Sequence, residues 1–210
     1  MLRGKNQWPD HPPELKSAYQ TYIREVKKVG TAVVHAMDAA LDLGFDRDIF
    51  VRNTRHSFWV IRMIGCPGLP SSASPSAPSN SDADPEAFSC GEHTDYGCMT
   101  LLLADSTTGA LQVQTKDGRW INADPVPGAF VVNIGDMMER WTNGLRRSTN
   151  HRVIHRGENF RVSVPFFFEP DWHARVRPLR QCVERTGGEE RFGEVVYGDH
   201  LIARVKGNFH

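Results

Sequence analysis

Two polar side chains stand two positions apart in residues 91–100, "GEHTDYGCMT", a segment otherwise typical of a strand. Alternate residues of a strand point to the same side, so His93 and Asp95 would project together from one face. An imidazole nitrogen and a carboxylate oxygen are both ligands for divalent transition metals. The pair is a candidate part of a metal site, although two polar residues unrelated to a metal can share this spacing.

A third ligand is available further along the chain. His151, in "STNHRVIH", is distant enough in sequence to arrive on a different strand. Two histidines and one carboxylate on one side of a metal leave the opposite positions open, which suits non-haem Fe(II) that must bind O2 and a co-substrate. A structural zinc site would be filled instead. His155 has the same strand parity as His151, so spacing alone leaves either histidine open as the third ligand.

A second pair with this spacing indicates an anion pocket. Arg161 and Ser163 in "FRVSVPFF" would share one strand face, and an arginine fork beside a hydroxyl matches a carboxylate. Oxygen chemistry at Fe(II) needs two electrons beyond those taken from the substrate, and oxidative decarboxylation of a 2-oxo acid supplies them. We therefore expect a site for the far carboxylate of 2-oxoglutarate beside the iron. A surface salt bridge is the alternative role for Arg161.

The surrounding sequence predicts mainly strands with supporting helices. Pro12 and Pro13 precede apolar residues at three- and four-residue spacing, which predicts a long amphipathic helix ending near Gly44. "DRDIFVRN" predicts a short helix and "SFWVIRMIG" a strand. The later strand-like segments are "CMTLLLAD", "LQVQT", "WINADP", "AFVVNIG", "HRVIHR" and "FRVSVPFFFEP", with "KDGR" as a hairpin turn. Short strands after a helix are typical of a β-sandwich or barrel with helical support.

Composition restricts the possible partners and location. A chain of 210 residues with 40% hydrophobic residues is long enough for one domain. Its 25 basic and 25 acidic residues balance, so we expect no nucleic-acid partner. It contains no apolar run long enough to cross a bilayer, and its four cysteines form no CxxC pair, so we expect free thiols, a cytoplasmic location and no membrane contact. The Ser- and Pro-rich residues at about 70–88 predict a flexible insertion.

Four segments, in this order, resemble the iron- and 2-oxoglutarate-dependent oxygenases of the isopenicillin N synthase-like superfamily: "HTDYGCMTLL", "GRWINADPVPGAFVVNIGDMMERWTNG", "STNHRV" and "RVSVPFFFEP". The similarity is close over roughly residues 58–170 and looser over "GKNQWPD" and the long helix. It implies a double-stranded β-helix (jelly roll) oxygenase domain at residues 58–210, preceded by a helical support at residues 1–57.

The resemblance also implies which histidine completes the metal site. The HxD…H triad of the family falls on His93, Asp95 and His151, because the distal histidine stands in an HRV context that His151 matches and His155 does not. The implied cofactor is Fe(II), and no catalytic side chain is implied beyond the three metal ligands.

The co-substrate pocket both matches the family pattern and departs from it. The RxS motif for the 2-oxoglutarate carboxylate falls on Arg161 and Ser163, whereas Cys66 stands before Pro67 where the family usually has a tyrosine. A thiol is a weaker donor than a phenol, so Cys66 either leaves one contact fewer or has a packing role. Family members also carry a longer segment before the stretch that here begins almost at Met1, so we expect part of the substrate-pocket wall to be missing.

The resemblance implies an oxygenase that uses O2 to hydroxylate or desaturate a small organic molecule. Two alternatives remain open from the sequence. One is an oxidase of the same fold that works without 2-oxoglutarate, and the other is a non-catalytic remnant that binds a metal or ligand. We expect a monomer or a weak homodimer.

Overall fold

The computed structural model describes residues 4–42, 48–68 and 89–207. The predicted flexible insertion at about 70–88 lies outside the described residues.

Five helices occur within the described ranges: α1 (Leu15–Leu41), α2 (Ile49–Asn53), α3 (Asp136–Trp141), α4 (Arg180–Arg185) and α5 (Tyr197–Gly207). The same ranges form eleven strands: β1 (Val60–Ile61), β2 (Ile64–Cys66), β3 (Cys90–His93), β4 (Met99–Ala104), β5 (Leu111–Gln114), β6 (Trp120–Asn122), β7 (Val131–Ile134), β8 (His151–Val153), β9 (Arg161–Phe168), β10 (Arg175–Val176) and β11 (Val195–Val196).

The strands form two larger antiparallel sheets and one small one. In the first sheet β9 is central, with β4 and then β7 on one side and both β1 and β2 on the other. The second sheet has the order β3-β8-β5-β6, and β10 pairs with β11. Side chains of the two larger sheets line a common cavity, as the walls of a jelly roll do. The predicted mainly β class, a jelly roll preceded by a long helix, is confirmed.

Helix α1 packs against β9 along one face. Its buried residues recur every three or four positions, as the sequence pattern predicts. The backbone comes so close to the sheet that a Cβ on Gly30 would overlap the Phe168 ring. The helix ends at Leu41, and the predicted end near Gly44 lies outside the described residues. No helix in the described ranges combines the length and the apolar character needed to cross a membrane.

The segment "SFWVIRMIG" forms two short strands instead of the predicted single one. β1 pairs with Phe166 and Phe167 of β9, and β2 pairs with residues 161–163. Pro165 lies between these two stretches and has no N–H to donate, although its carbonyl accepts a hydrogen bond from the backbone N of Arg62 at 3.1 Å. The proline thus interrupts the ladder where β1 ends.

The predicted "KDGR" turn joins β5 and β6. The backbone N of Thr115 donates to Arg119 O at 2.8 Å, and Gly118 adopts a φ of +82°, a value that favours glycine. Toward the C-terminal end of the described residues, the chain forms β11 and then α5. All four cysteines are free, as predicted; Cys90 is exposed and the other three are buried.

A buried carboxyl group lies where β9 ends. Glu169 Oε2 accepts a hydrogen bond from the backbone N of Cys98 at 2.9 Å, and the Tyr197 hydroxyl also hydrogen-bonds to Glu169. Burial raises the pKa of Glu169 to about 8. A Cβ on Gly97 would overlap the Glu169 carboxyl group, so glycine is needed here for close packing. Glu169 therefore links β9, the loop after β3 and α5.

This buried group predicts a stability that depends on pH. Below about pH 8 folded Glu169 keeps its proton, whereas in the unfolded chain it ionises above about pH 4.5. Its contribution is therefore fully present below pH 4.5 and is lost as the pH rises to 8, at no more than about 1.4 kcal/mol per pH unit. Glu169→Gln, which stays neutral, should lose this slope and be more stable than the wild type at pH 8.5.

Chemical denaturation of the metal-free protein at pH 5, 7 and 8.5 measures the free energy of unfolding. Glu184→Gln, which alters an exposed carboxylate on α4, is the control and should keep the wild-type slope. Parallel pH profiles for wild type and Glu169→Gln would contradict the assignment.

Candidate metal centre and co-substrate pocket

The two histidines of the predicted triad face each other across paired strands. His93 ends β3 and His151 begins β8, and the two residues are direct partners in the antiparallel register. Their ring centroids lie 4.2 Å apart. The register shifts between Cys90 and His93, which indicates a bulge in β3, and both of these side chains line the cavity between the larger sheets.

Asp95 joins the histidines from a loop. The prediction that His93 and Asp95 project from one face of a strand is wrong, because β3 ends at His93. Asp95 instead reaches the cavity from the turn that leads to β4. Asp95 is only 7% exposed, and its Oδ1 lies 3.8 Å from His151 Nε2. One donor atom from each of His93, Asp95 and His151 lies within 4.8 Å of the other two.

Hydrogen bonds orient the Asp95 carboxylate. Its Oδ2 accepts a hydrogen bond from Thr100 Oγ1 at 2.6 Å and another from Asn133 Nδ2 at 2.7 Å. Thr100 on β4 and Asn133 on β7 are register partners, so they reach the same oxygen from neighbouring strands. Both donors occupy Oδ2 and leave Oδ1 turned toward His151.

The histidine rings are oriented by backbone carbonyls. His93 Nδ1 lies 2.8 Å from Gly91 O, and His151 Nδ1 lies 3.1 Å from Thr149 O. Each Nδ1 therefore carries the hydrogen and donates it, which leaves the Nε2 lone pair for a metal. Two imidazole nitrogens and one carboxylate oxygen on one side form a donor set that suits Fe(II) and leaves open positions.

The protonation of the two rings differs. Burial lowers the pKa of His151, which favours the neutral, ligating form. The Cys90 thiol, with Sγ 3.7 Å from His93 Nδ1, raises the pKa of His93 to about 9, despite the opposing effect of burial. The same contact lowers the pKa of the Cys90 thiol. A metal ion must therefore displace a proton from His93.

His155 lies outside this group, so the structure separates the two histidines that spacing left open. β8 ends at Val153, and the His155 side chain is buried elsewhere, with Nε2 2.7 Å from Asn159 O. The even spacing between His151 and His155 does not place both side chains on one strand face, because β8 ends before His155.

Arg161 and Ser163 share the cavity with the triad. They project from one face of β9 as predicted, and Arg161 Nη1 donates to Ser163 Oγ at 3.3 Å. Arg161 is only 2% exposed, and its buried Nε has no hydrogen-bond partner among the described residues. A buried guanidinium with an unused donor at a cavity wall suits a carboxylate ligand.

The cavity has a volume of about 320 Å³ and is mostly apolar. Cys66, the register partner of Arg161, is buried and also lines it. The thiol thus lies in the wall near the arginine, at the position where the sequence resemblance led us to expect a tyrosine. Besides these residues, the lining includes Ile64, Leu102, Leu111, Val113, Val131 and Phe167.

Sequence reasoning missed several site residues. Neither Thr100 nor Asn133 was predicted to lie in the site. Both interrupt apolar strands, "MTLLL" and "VVNI", at positions that face the cavity, which is the signal that could have identified them. Arg62 and Cys90 also line the cavity and were not predicted to do so.

Comparisons with known proteins agree with this geometry. Residues 73–170 match the model of the 2OG-Fe(II) oxygenase superfamily. Homoarginine-6-hydroxylase 2-ODD-C23 of Glycine max is 39% identical over 100% of this chain and 61% of that protein. Homoarginine-6-hydroxylase 2-ODD-233 of Oryza sativa subsp. japonica is 40% identical over 98% of this chain and 60% of that protein. The chain thus spans about three fifths of the length of these relatives.

A solved structure has the same fold. A full-length protein of Neurospora crassa, crystallised in complex with alpha-KG, superposes with a TM-score of 0.82 at 26% identity, covering 98% of this chain and 62% of that chain. The segment matched by the family model contains all three residues of the His-Asp-His group and both residues of the Arg-Ser pair. Sequence, fold and site thus agree, and the chain belongs to the 2OG-Fe(II) oxygenase superfamily.

Proposed function

We propose that this chain forms the catalytic part of an Fe(II)- and 2-oxoglutarate-dependent oxygenase that hydroxylates or desaturates a small organic molecule. The observation that carries this proposal is the position of the His-Asp-His donor group and the buried Arg161 in one cavity. A metal centre beside a buried arginine with an unused Nε donor matches the two anchoring points of a 2-oxo acid.

Each residue has a distinct role in this proposal. His93 Nε2, Asp95 Oδ1 and His151 Nε2 hold the metal from one side. Arg161 and Ser163 hold the far carboxylate of 2-oxoglutarate, and the apolar lining limits the entry of water. When bound, Fe(II) would activate O2, the oxidant for attack on a C–H bond, and oxidative decarboxylation of 2-oxoglutarate to succinate would supply the two further electrons that O2 needs.

The metal assignment predicts different effects for two histidines. His151→Ala should weaken Fe(II) binding by about 100-fold or more, because two remaining groups do not define one side of a metal. His155→Ala is the matched control and should keep the metal content of the wild type. Anaerobic Fe(II) titration, with thermal melting to confirm folding, measures both. Retained metal in His151→Ala together with loss in His155→Ala would reverse the assignment.

The co-substrate assignment predicts graded losses of affinity. Arg161→Ala removes a charged, forked contact and should weaken 2-oxoglutarate binding by roughly 2–5 kcal/mol. Ser163→Ala should cost about 1 kcal/mol. Anaerobic calorimetry on the metal-loaded protein is the measurement, and Arg156→Ala, an exposed arginine outside this cavity, is the control. Unchanged affinity in Arg161→Ala would show that the co-substrate binds elsewhere.

Turnover distinguishes the proposed function from its two alternatives. The Fe(II)-loaded protein should convert 2-oxoglutarate to succinate with uptake of O2. Oxygen uptake with a substrate but without 2-oxoglutarate would favour an oxidase of the same fold. Binding of metal and 2-oxoglutarate without any succinate would favour a non-catalytic protein.

L-Homoarginine is the first substrate to test, because the two plant relatives described above are named homoarginine-6-hydroxylases. The measurement is the ratio of hydroxylated product to succinate. A ratio near one would support L-homoarginine as substrate, and succinate that forms at the same rate without it would exclude L-homoarginine.

A further inference from the structure

A second arginine lines the reaction cavity and has no role in the functions assigned above. Arg62 lies between β1 and β2 and is exposed, whereas Arg161 is buried. Both side chains contribute to the wall of the cavity that contains His93, Asp95 and His151. The cavity therefore has one buried arginine and one at its solvent side.

The register of β9 places these arginines at different ends of the cavity. Alternate β9 residues, from Arg161 to Phe167, line the cavity, and six residues of strand span about 20 Å. Arg62 lies at the far end from Arg161: its backbone N bonds to Pro165 O, and its Cζ is 5.8 Å from the centre of the Phe167 ring.

The candidate metal centre and Arg62 lie near the same end of β9, the end at Phe167. Thr100, which donates to Asp95, is the register partner of Phe167 on β4. β4 flanks β9 on one side, and the segment that carries Arg62 flanks it on the other. Arg62 thus faces the metal centre across β9, at the opposite end of the strand from the site proposed for the co-substrate carboxylate.

The charge of Arg62 is available to a ligand. No ion pair joins it to a carboxylate within the part of the chain that the structure describes. The Phe167 ring supports the guanidinium group, and an arginine on an aromatic ring still presents N–H groups that fit a planar carboxylate. Asp95 is the one carboxylate among the described lining residues, and in the proposed site it holds the metal.

We propose that Arg62 binds the carboxylate of the substrate, so that the enzyme acts on small carboxylic acids held between Arg62 and the metal centre. This inference rests on the proposed oxygenase function and adds the substrate class to it. A single forked cation suits a carboxylate, and a cavity of about 320 Å³ that must also hold 2-oxoglutarate limits the acid to a compact molecule.

The test uses wild-type protein loaded with Fe(II) and 2-oxoglutarate under anaerobic conditions. Hexanoate, 3-phenylpropanoate and L-homoarginine are each compared by calorimetry with the corresponding carboxamide, and phenyl phosphate is included as a different anion. We expect at least one acid to bind about tenfold or more tightly than its amide. Arg62→Gln should remove this preference, and Arg62→Lys should keep part of it.

Two further variants make the result specific. Arg52→Gln changes an exposed arginine on α2 outside the cavity and should keep the wild-type preference. Arg161→Gln should weaken 2-oxoglutarate far more than Arg62→Gln does. Equal losses of 2-oxoglutarate affinity would place Arg62 in the co-substrate pocket and overturn the inference.

Failure of the proposed function has a different signature. If wild-type protein loaded with Fe(II) binds no 2-oxoglutarate, the oxygenase proposal itself fails. If 2-oxoglutarate binds and is turned over but no acid is preferred to its amide, or phenyl phosphate binds best, the inference about Arg62 alone is overturned. Retention of the acid preference in Arg62→Gln would do the same.

Discussion

The site depends on the orientation of one buried carboxylate. Asp95 is not on a strand, so no ladder fixes its side chain, and its position comes from the Thr100 hydroxyl and the Asn133 amide on Oδ2. Because β4 and β7 hold these donors in register, the geometry of the first sheet determines the direction of Oδ1. The histidines belong to the second sheet, so Asp95 joins the two walls of the jelly roll at the proposed metal centre.

The backbone around Asp95 is fixed as firmly as its side chain. Its carbonyl accepts a hydrogen bond from the backbone N of Asp136 at 2.8 Å, at the start of α3, and the backbone N of Met137 donates to Gly97 O at 2.9 Å. A Cβ on Gly135 would overlap the Gly97 carbonyl. Glu169 contacts the same loop through the hydrogen bond from the backbone N of Cys98. Such close approaches leave room only for glycine at positions 97 and 135.

Local sequence rules predicted the helices and strands, but not which strands pair or in which register. Strand-like apolar segments located β4, β5, β7 and β9, and apolar residues at helical spacing located α1. The pairing of His93 with His151 was not predictable in this way, since it depends on register between strands almost 60 residues apart. The separation of β1 from β2 was not predictable for the same reason. Pro165 is visible in the sequence, but the sequence does not show which segment pairs with the strand that contains it. The choice between His151 and His155 needed the family context, because strand parity did not reveal where β8 ends.

The two cavity arginines differ in the desolvation cost of binding an anion. Arg161 is already removed from water by folding, so its desolvation cost belongs to the stability of the fold and a carboxylate there gains a strong interaction in a medium of low polarity. Arg62 remains hydrated, and a ligand must displace that water, which makes the contact weaker and more readily reversed. In the proposed function, a buried cation for the co-substrate and an exposed one for the substrate would allow one cavity to hold two acids without exchanging their places.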